Sequence, residues 1–292
     1  MGLLYNDIEE SKLPTKMACE TLDVSRTGYK HWLGKEPVAP AISEMILEQE
    51  IRKITKEFVK YGYRRVYHAL KGTEVKAGKK KVLKIMRKAG LLCKKRKYRK
   101  STTNSNHGLQ TYPNLIKDLR VVELNQIWVS DITYVILANG KHTYLATVMD
   151  RFSRKFLGWE LSENIDALLC VNALQMAFEE REGINLASLI HHSDRGSQYA
   201  SSEYVHELEL RGIRISMSRK GNPYDNAFAE SGFKTIKYEE VYLNEYNSIQ
   251  EARENIRHFI EEVYNKKRLH SSIGYKPPQE FENQWNLRKV RA

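Results

Sequence analysis

The chain has 292 residues, enough for two or more domains, and its 41% hydrophobic content suits a globular protein. It has no run of about 18 apolar residues, and its N-terminus lacks the basic and apolar regions of a signal peptide, so neither a membrane span nor a leader is expected. The cysteines Cys19, Cys93 and Cys170 are scattered along the chain. This spacing argues against a disulfide framework or a zinc knuckle and favours a reduced, cytoplasmic setting.

The net charge of +12 is concentrated in the first part of the chain. Residues 1–125 contain 27 lysines and arginines against 13 acidic residues, which is +14, whereas residues 126–292 contain 21 against 23, which is −2. Basic segments attract a nucleic-acid backbone by charge and by counterion release. Nucleic acid is therefore the expected partner, and a basic domain without such a partner is the alternative.

Residues 16–33 predict two short helices joined by a turn at Leu22–Ser25, with Ser25 as the N-cap of the second helix. The pair resembles a small helix-turn-helix, although many helical hairpins share this weak pattern. The prolines at 37 and 40 indicate a linker. Residues 1–40 are therefore predicted to form the first segment of the chain.

A second helical unit is predicted over residues 41–93. Helical periodicity runs from Ile42 to Phe58 and returns in the basic segment 79–92, where Val82, Leu83 and Met86 form an apolar stripe beside lysines. Gly90 fits the C-terminal end of that helix. The density of cations predicts a DNA-binding face. Its predicted contacts are Arg64, Arg65, Lys80, Lys81 and Lys84.

Residues 94–124 are predicted to be a linker. They begin with a run of basic residues and continue as a polar stretch without an apolar core, a composition typical of segments that become ordered on binding. Between two domains, such a linker could follow a DNA backbone. The predicted contacts are Lys94, Lys95, Arg96 and Lys97.

From residue 125 the pattern changes to strands alternating with helices. The predicted strands are Ile127–Leu137, His142–Met149, Phe156–Leu161, Leu189–His191 and Ile213–Met217. The predicted helices are Ile165–Arg181 and Tyr204–Leu210, followed by one that starts near Asn222. A hairpin turn is expected at Asn139-Gly140.

The order βββαβαβα is that of a ribonuclease-H-like α/β fold. The predicted fold class is therefore a catalytic core of this type, with a mixed five-stranded sheet and helices, preceded by small all-α helix-turn-helix-type units. The core would span residues 125–285, with a basic tail at 286–292. In this fold the first strand lies at the centre of the sheet with the fourth strand beside it.

The last helix of the core is predicted to begin with Asn222 as N-cap and Pro223 in its first position. Glu230, Lys234 and Lys237 would then share one face of that helix. A carboxylate followed by two lysines suits DNA whose reacting phosphate lies on bound metal ions. Surface ion pairing between neighbouring helical turns is the alternative.

Three acidic residues are the candidate catalytic and metal-binding residues. Asp131 lies in the first strand, Asp194 follows the fourth strand, and Glu230 lies on the last helix, 36 positions after Asp194. Each carboxylate alone is better explained as an edge or surface residue. Together, converging at a sheet edge, they would hold two hard divalent cations through oxygen ligands. This combination predicts a metal-dependent phosphoryl-transfer site that acts on DNA.

These residues lie in longer segments that resemble the downstream-frame (OrfB) portion of the IS-three family of bacterial insertion-sequence transposases, whose core resembles retroviral integrases. The segments are Trp128–Tyr134, Asp150–Arg154, Gly158-Trp159, His191–Tyr199, Asn222–Ser231 and Tyr264–Pro278. The resemblance covers roughly residues 15–283. Asp131, Asp194 and Glu230 match the family's Asp, Asp, Glu triad, and Lys237 matches the basic residue seven positions after the Glu. Gly232 occupies a position where the family commonly has a bulky aromatic side chain.

The resemblance implies a DDE transposase, a polynucleotidyl transferase that cuts element ends and joins them to DNA with two magnesium ions, manganese being a possible substitute. It implies terminal inverted repeats and target DNA as substrates, and a homo-oligomer assembled on DNA. An upstream-frame (OrfA) partner or fusion is also implied, as is a bacterial, nucleoid-associated location without a membrane partner.

Two other functions stay open at this point, a simple ribonuclease-H-type nuclease and a catalytically silent DNA-binding regulator. The basic first part of the chain argues against the nuclease, and the intact triad argues against the regulator. His192 is a candidate contact for DNA or for a ligand carboxylate, because the pair His191-His192 lacks a metal-binding spacing. No phosphate loop of the Walker type occurs.

Overall fold

A computed structural model describes residues 7–11, 13–33, 42–93, 109–219 and 227–291. Its α-helices are α1 (Thr15–Thr21), α2 (Arg26–Leu33), α3 (Ile42–Glu57), α4 (Tyr63–Leu70), α5 (Lys79–Lys88), α6 (Ala167–Glu180), α7 (Ser202–Glu209), α8 (Ala227–Glu239), α9 (Ile249–His258) and α10 (Pro278–Arg291). Its strands are β1 (Ile127–Ile136), β2 (His142–Asp150), β3 (Phe156–Ser162), β4 (Ile190–Ser193) and β5 (Arg214–Met217). No described helix has the length and apolar composition needed to cross a membrane.

The chain divides into two units, Met1–Lys53 and Ile54–Ala292. In the first unit, α1 and α2 bury a small core of Ala18, Cys19 and Tyr29 with Ile8. The backbone N–H of Gly28 donates to the Ser25 hydroxyl oxygen at 3.3 Å, which confirms Ser25 as the N-cap of α2. The linker predicted before residue 41 lies outside the described residues, and the five predicted segment boundaries stay predictions.

Within Ile54–Ala292, α4 and α5 pack against each other. The buried residues of α5 are Val82, Ile85 and Met86, which follow the i, i+3, i+4 spacing of one helical face. Of the predicted stripe, Val82 and Met86 are buried and Leu83 is half-buried, and the prediction omitted the buried Ile85. Gly90 ends this helix with a φ of 70°, as predicted.

The five-stranded sheet has the order β3-β2-β1-β4-β5, which confirms β1 at the centre with β4 beside it. β1 pairs with β2, and β2 with β3, in antiparallel register, whereas β1–β4 and β4–β5 are parallel pairs. Gly140, with a φ of 81°, forms the predicted turn between β1 and β2. The mixed sheet and its helices form the predicted ribonuclease-H-like core.

Alternate residues of β1 enter different cores on the two faces of the sheet. Ile127, Val129 and Val135 lie in the core that also contains residues of α8 and α9. Trp128 lies in the opposite core, which contains residues of α6 and α7. Because side chains alternate along a strand, odd-numbered positions of β1 face α8.

Helix α6 crosses β3 at Gly158 with direct backbone contact. A Cβ atom at this position would lie 2.0 Å from the carbonyl oxygen of Ala173 and 2.7 Å from the amide nitrogen of Ala177. Only glycine fits, so the Gly158-Trp159 pair of the sequence marks the closest approach of this helix to the sheet.

Candidate active site

Asp131 lies in β1, and Asp194 directly follows the last residue of the adjacent parallel strand β4. The register of β1 and β4 pairs Val129 with His192, and both acidic residues lie two positions further along. A step of two keeps a side chain on the same face of a sheet, so Asp131 points to the face covered by α8. The negative charge of Asp194, just beyond the end of β4, acts on Asp131. The fold therefore brings together two acidic residues that are 63 positions apart in the sequence.

The carboxyl group of Asp131 occupies an environment that disfavours its charged form. Burial, and then the negative charge of Asp194, raise the pKa of Asp131 well above its ordinary value. The backbone N–H of Ile132 donates to Asp131 Oδ1 at 2.9 Å and opposes this rise. The backbone N–H of Gly196 donates to Asp194 Oδ1 at 2.8 Å and holds that side chain in place.

Glu230 and Lys237 lie on helix α8, which packs against this face of the sheet. Ala229, Phe233 and Ile236 anchor the helix in the core beneath it. The Lys237 ammonium group is buried 4.4 Å from the ring centroid of Tyr134 on β1. Burial lowers the pKa of Lys237, and the nearby Asp131 opposes that change.

Glu230 lies farther out than the two aspartates. Its side chain is largely exposed, and partial burial of the carboxyl group raises its pKa. Its negative charge also contributes to the raised pKa of Asp131, after Asp194. Within the described ranges, no three His, Cys, Asp or Glu side chains lie close enough together to hold a metal ion. The described conformation therefore has two adjacent carboxylates, and the third stands apart from them on α8.

The donor set nevertheless fits a hard divalent cation. All three side chains offer carboxylate oxygens, the ligands that magnesium and manganese prefer. Carboxylates that raise one another's pKa are stabilised by a bound positive charge. Asp131 and Asp194 would hold such ions, with Glu230 as the third ligand.

A buried hydrogen-bond cluster supports the strand ends from the opposite face. His191 Nε2 lies 2.8 Å from the Ser130 hydroxyl and 2.9 Å from the Tyr204 hydroxyl. Burial lowers the pKa of His191 to about 3, so the ring is neutral. This cluster fixes the residue before Asp131 without reaching the carboxylates themselves.

The suggestion that His192 contacts DNA or a ligand was wrong. Its side chain is fully buried, with Nδ1 at 2.8 Å from the Ser216 hydroxyl and Nε2 at 3.1 Å from the Ser218 hydroxyl. The ring thus ties β4 to β5 inside the fold. A pair of histidines in a short apolar strand is explained by this packing.

The predicted DNA contacts are found in different surroundings. Arg64 and the α5 lysines Lys80, Lys81 and Lys84 are exposed, as is Lys234 on α8. Arg65 is instead half-buried, with Nη1 at 3.6 Å from Glu239 Oε1. Lys94, Lys95, Arg96 and Lys97, and the predicted helix start at Asn222-Pro223, lie outside the described residues. All these contacts stay predictions.

A second group of residues contacts α8, and no specific role for them follows from the sequence alone. Arg151 and Arg154, from the turn between β2 and β3, both stack on Phe228. Arg268 binds Glu239 at the C-terminal end of the helix. The segments Asp150–Arg154 and Tyr264–Pro278 contain these arginines, but residue order alone does not show which ring or carboxylate they meet.

The integrase core domain family matches residues 122–223, and a second family of the same description matches residues 211–278. An HTH-like domain family matches residues 43–99. A simian T-cell lymphotropic virus intasome, solved in complex with the PP2A regulatory subunit B56 gamma, is similar with a TM-score of 0.45 and 17% identity, over 79% of this chain and 73% of that chain.

Two curated relatives match over nearly their whole length. The transposase for insertion sequence element IS904 of Lactococcus lactis subsp. lactis is 37% identical over 251 residues, or 85% of this chain and 98% of that protein. Transposase InsF for insertion sequence IS3A of Escherichia coli K12 is 31% identical over 293 residues, or 97% of this chain and 99% of that protein. The chain therefore belongs to the IS3 family of insertion-sequence transposases, polynucleotidyl transferases built on an integrase core.

Proposed function

We propose that this transposase cuts the ends of its insertion sequence and joins them to target DNA at one site, formed by Asp131, Asp194 and Glu230. The observation that carries this proposal is the proximity of the three acidic residues: the negative charges of Asp194, which follows β4, and of Glu230 both act on Asp131 in the neighbouring strand β1. The face of β1 that bears Asp131 is covered by the helix that bears Glu230. One site suffices for both steps, because hydrolysis and joining differ only in whether water or a DNA 3′-hydroxyl attacks the phosphate.

The cofactor in this proposal is a pair of magnesium ions, for which manganese is a possible substitute. Bound at the carboxylates, such ions stabilise the attacking and leaving oxygens of phosphoryl transfer. Asp131 and Asp194 contribute fixed oxygens, because each accepts a backbone N–H bond that orients it. Glu230 would complete the set by turning toward Asp131, which its exposed side chain permits.

Basic residues would hold the DNA. Lys237 is a buried positive charge beside Asp131 and offsets part of the negative charge before substrate binds. The exposed Arg64, Lys80, Lys81 and Lys84 form a cationic face on the second helical unit, where they would contact backbone phosphates. Arg65 fits this role less well, because its guanidinium group faces Glu239.

The substrates in this proposal are the terminal inverted repeats and target DNA. A homo-oligomer would bring two element ends together on the DNA. An upstream-frame partner or fusion would complete the enzyme where the downstream-frame product alone does not suffice. The setting would be the bacterial nucleoid.

The test compares three carboxylate variants, Asp131→Asn, Asp194→Asn and Glu230→Gln, in a joining assay with a pre-cut element end, a target duplex and magnesium. Each change keeps the side-chain shape and weakens a metal ligand. Each variant is expected to lose joining and hydrolysis together, while its binding to end DNA survives. The matched control is Glu203→Gln, another exposed glutamate in the first turn of a helix, and it should keep both activities.

Two outcomes would count against the proposal. Joining of pre-cut ends by Glu230→Gln at the unaltered rate would refute a single site for both steps. Hydrolysis without any joining by the unaltered protein, even with the upstream-frame product added, would favour the nuclease alternative.

A further inference from the structure

Two arginines from one turn meet a single aromatic ring on the catalytic helix. Arg151 and Arg154 lie in the turn between β2 and β3, and Phe228 lies in the first described turn of α8. The guanidinium carbon of each arginine is 4.2 Å from the ring centroid of Phe228. Stacking on one ring holds both positive charges in one small region of the surface.

These guanidinium groups lack the partners that half-buried charges normally have. Arg151 Nε and Nη1 and Arg154 Nε are buried, and none of these atoms has a hydrogen-bond partner in the described chain. Burial lowers the pKa of both arginines, and for Arg154 the positive charge of Arg151 lowers it further. Buried donors without partners are rare in native proteins and require an explanation, such as a bound ion.

The acidic side chain that interacts with Arg154, Asp150, does not fill this role. Asp150 accepts four hydrogen bonds, from the backbone N–H groups of Asn125, Phe152 and Ser153 and from the Ser153 hydroxyl. Its oxygens are therefore already occupied by donors from this turn and from Asn125. Asp150 and Tyr264 offset part of the charge of Arg154, but the buried guanidinium donors still have no acceptor, and an external anion would supply one.

We infer that Arg151, Arg154 and Phe228 form a binding site for a DNA backbone phosphate, separate from the three carboxylates. Planar guanidinium groups match a phosphate with paired N–H donors, and the ring of Phe228 orients both of them before DNA arrives. This inference rests on the proposed function, because it takes DNA to be the ligand. Free phosphate offers the same chemistry and is distinguished by experiment below.

The site lies beside the catalytic residues rather than among them. Phe228 and Glu230 are two positions apart, a spacing that puts them on different faces of a helix. A phosphate at this site would thus belong to a nucleotide other than the reacting one. Its contact would fix the position of DNA relative to α8, so both arginines are positioning residues.

The first experiment measures binding of the full chain to a fluorescein-labelled mixed-sequence DNA duplex across a salt series, with EDTA present. Arg151→Gln and Arg154→Gln should each weaken binding about tenfold and reduce the slope of log affinity against log salt by about one. The control is Arg257→Gln, an exposed arginine of α9 paired with Glu254, which should leave both quantities unchanged. Variants with the affinity and slope of the control would overturn the inference.

The second experiment requires no variant and so does not depend on folding. Phenylglyoxal modifies accessible guanidinium groups, and mass spectrometry locates the modified residues. DNA should protect Arg151 and Arg154 but not Arg257. Protection by inorganic phosphate and not by the duplex would overturn the assignment to DNA. Neither experiment requires catalysis. If the carboxylate variants refuted the proposed function, these two experiments would still test the phosphate site.

Discussion

Gly232 lies where α8 passes closest to the ring of Phe156 on β3. A Cβ atom at this position would lie 3.0 Å from Cζ and 3.4 Å from Cε1 of that ring. Phe156 is itself buried and packs against Tyr264, with ring centroids 4.6 Å apart, so it cannot easily move away. The ring of Phe156 from β3 therefore occupies the space that a side chain at position 232 would need.

Gly232→Ala should therefore destabilise the fold by about 1 kcal/mol, because crowding outweighs the better helix propensity of alanine. In a Phe156→Leu background the same change should become neutral or stabilising. Urea unfolding of the four proteins gives the coupling between the two positions. Equal effects of the alanine in both backgrounds would show that the ring is not the cause.

Asp150 is a buried carboxyl group with an unusual pKa. Burial raises its pKa to about 6 from an ordinary value of 3.8, against the opposing effect of the backbone N–H groups of Ser153 and Asn125. A carboxyl group with a higher pKa in the folded chain binds more protons there, so stability falls as pH rises from the ordinary value through the folded one. Between pH 5 and pH 7 this contribution amounts to about 1 kcal/mol.

Asp150→Asn removes this titration. The unfolding free energy of the variant should fall about 1 kcal/mol less than that of the unaltered chain when pH is raised from 5 to 7. Urea unfolding at both pH values measures the difference, with the exposed Asp118→Asn as the control. The same pH dependence in the variant and in the unaltered chain would contradict the raised pKa.

At the level of elements, the segment Tyr264–Pro278 joins α8 to α4. Arg268 is buried and donates to both oxygens of Glu239, at 2.6 and 2.7 Å, at the C-terminal end of α8. The backbone N–H of Leu269 donates to the hydroxyl of Tyr61 at 2.7 Å, and His68 of α4 stacks on Tyr275 with ring centroids 3.6 Å apart. Helix α8 thus has Glu230 near one end and a contact with the HTH-like helices at the other.

Arg268→Met should destabilise the fold by about 3 kcal/mol, because it leaves the largely buried Glu239 without its main partner. The control is Lys266→Met, which removes an exposed cation paired with Glu262 and should cost about 0.5 kcal/mol or less. A double-mutant cycle of Arg268→Met with Glu239→Leu should give a coupling above about 1 kcal/mol. Additive effects would mean that the pair does not hold the two elements together.

The approach of Asp131 and Asp194 could be inferred from sequence for two reasons: side-chain alternation along a strand is a local property, and the order of the elements implies that β1 and β4 are neighbours. A buried strand interrupted by Asp131, and a second followed by Asp194, suffice to bring the two residues together once the strands are neighbours. The exposed position of Glu230, apart from the two aspartates, could not be inferred, because it depends on how α8 packs over the sheet. The same holds for the Tyr61–Leu269 contact, which joins residues 208 positions apart.

For the whole molecule, the separation of charge predicts where DNA affinity resides. The first 125 residues carry +14 and the remainder −2. A fragment that ends at residue 125 would lose the partners of Tyr61 and His68, so the contribution of the basic unit is better measured in the full chain. The lysines of α5 suit this measurement, because they are exposed while Val82, Ile85 and Met86 hold the helix in its core.

A triple change of Lys80, Lys81 and Lys84 to Gln should therefore leave the thermal unfolding temperature nearly unchanged and weaken duplex binding strongly. Three lost phosphate contacts would lower the slope of log affinity against log salt by about three. The matched control changes Lys141, Arg257 and Lys266 to Gln, three exposed cations of the near-neutral part that are each paired with a glutamate. If both triple variants lose the same affinity, net charge alone attracts DNA and α5 has no special role. If only the α5 variant loses affinity, the α5 lysines contact the DNA directly.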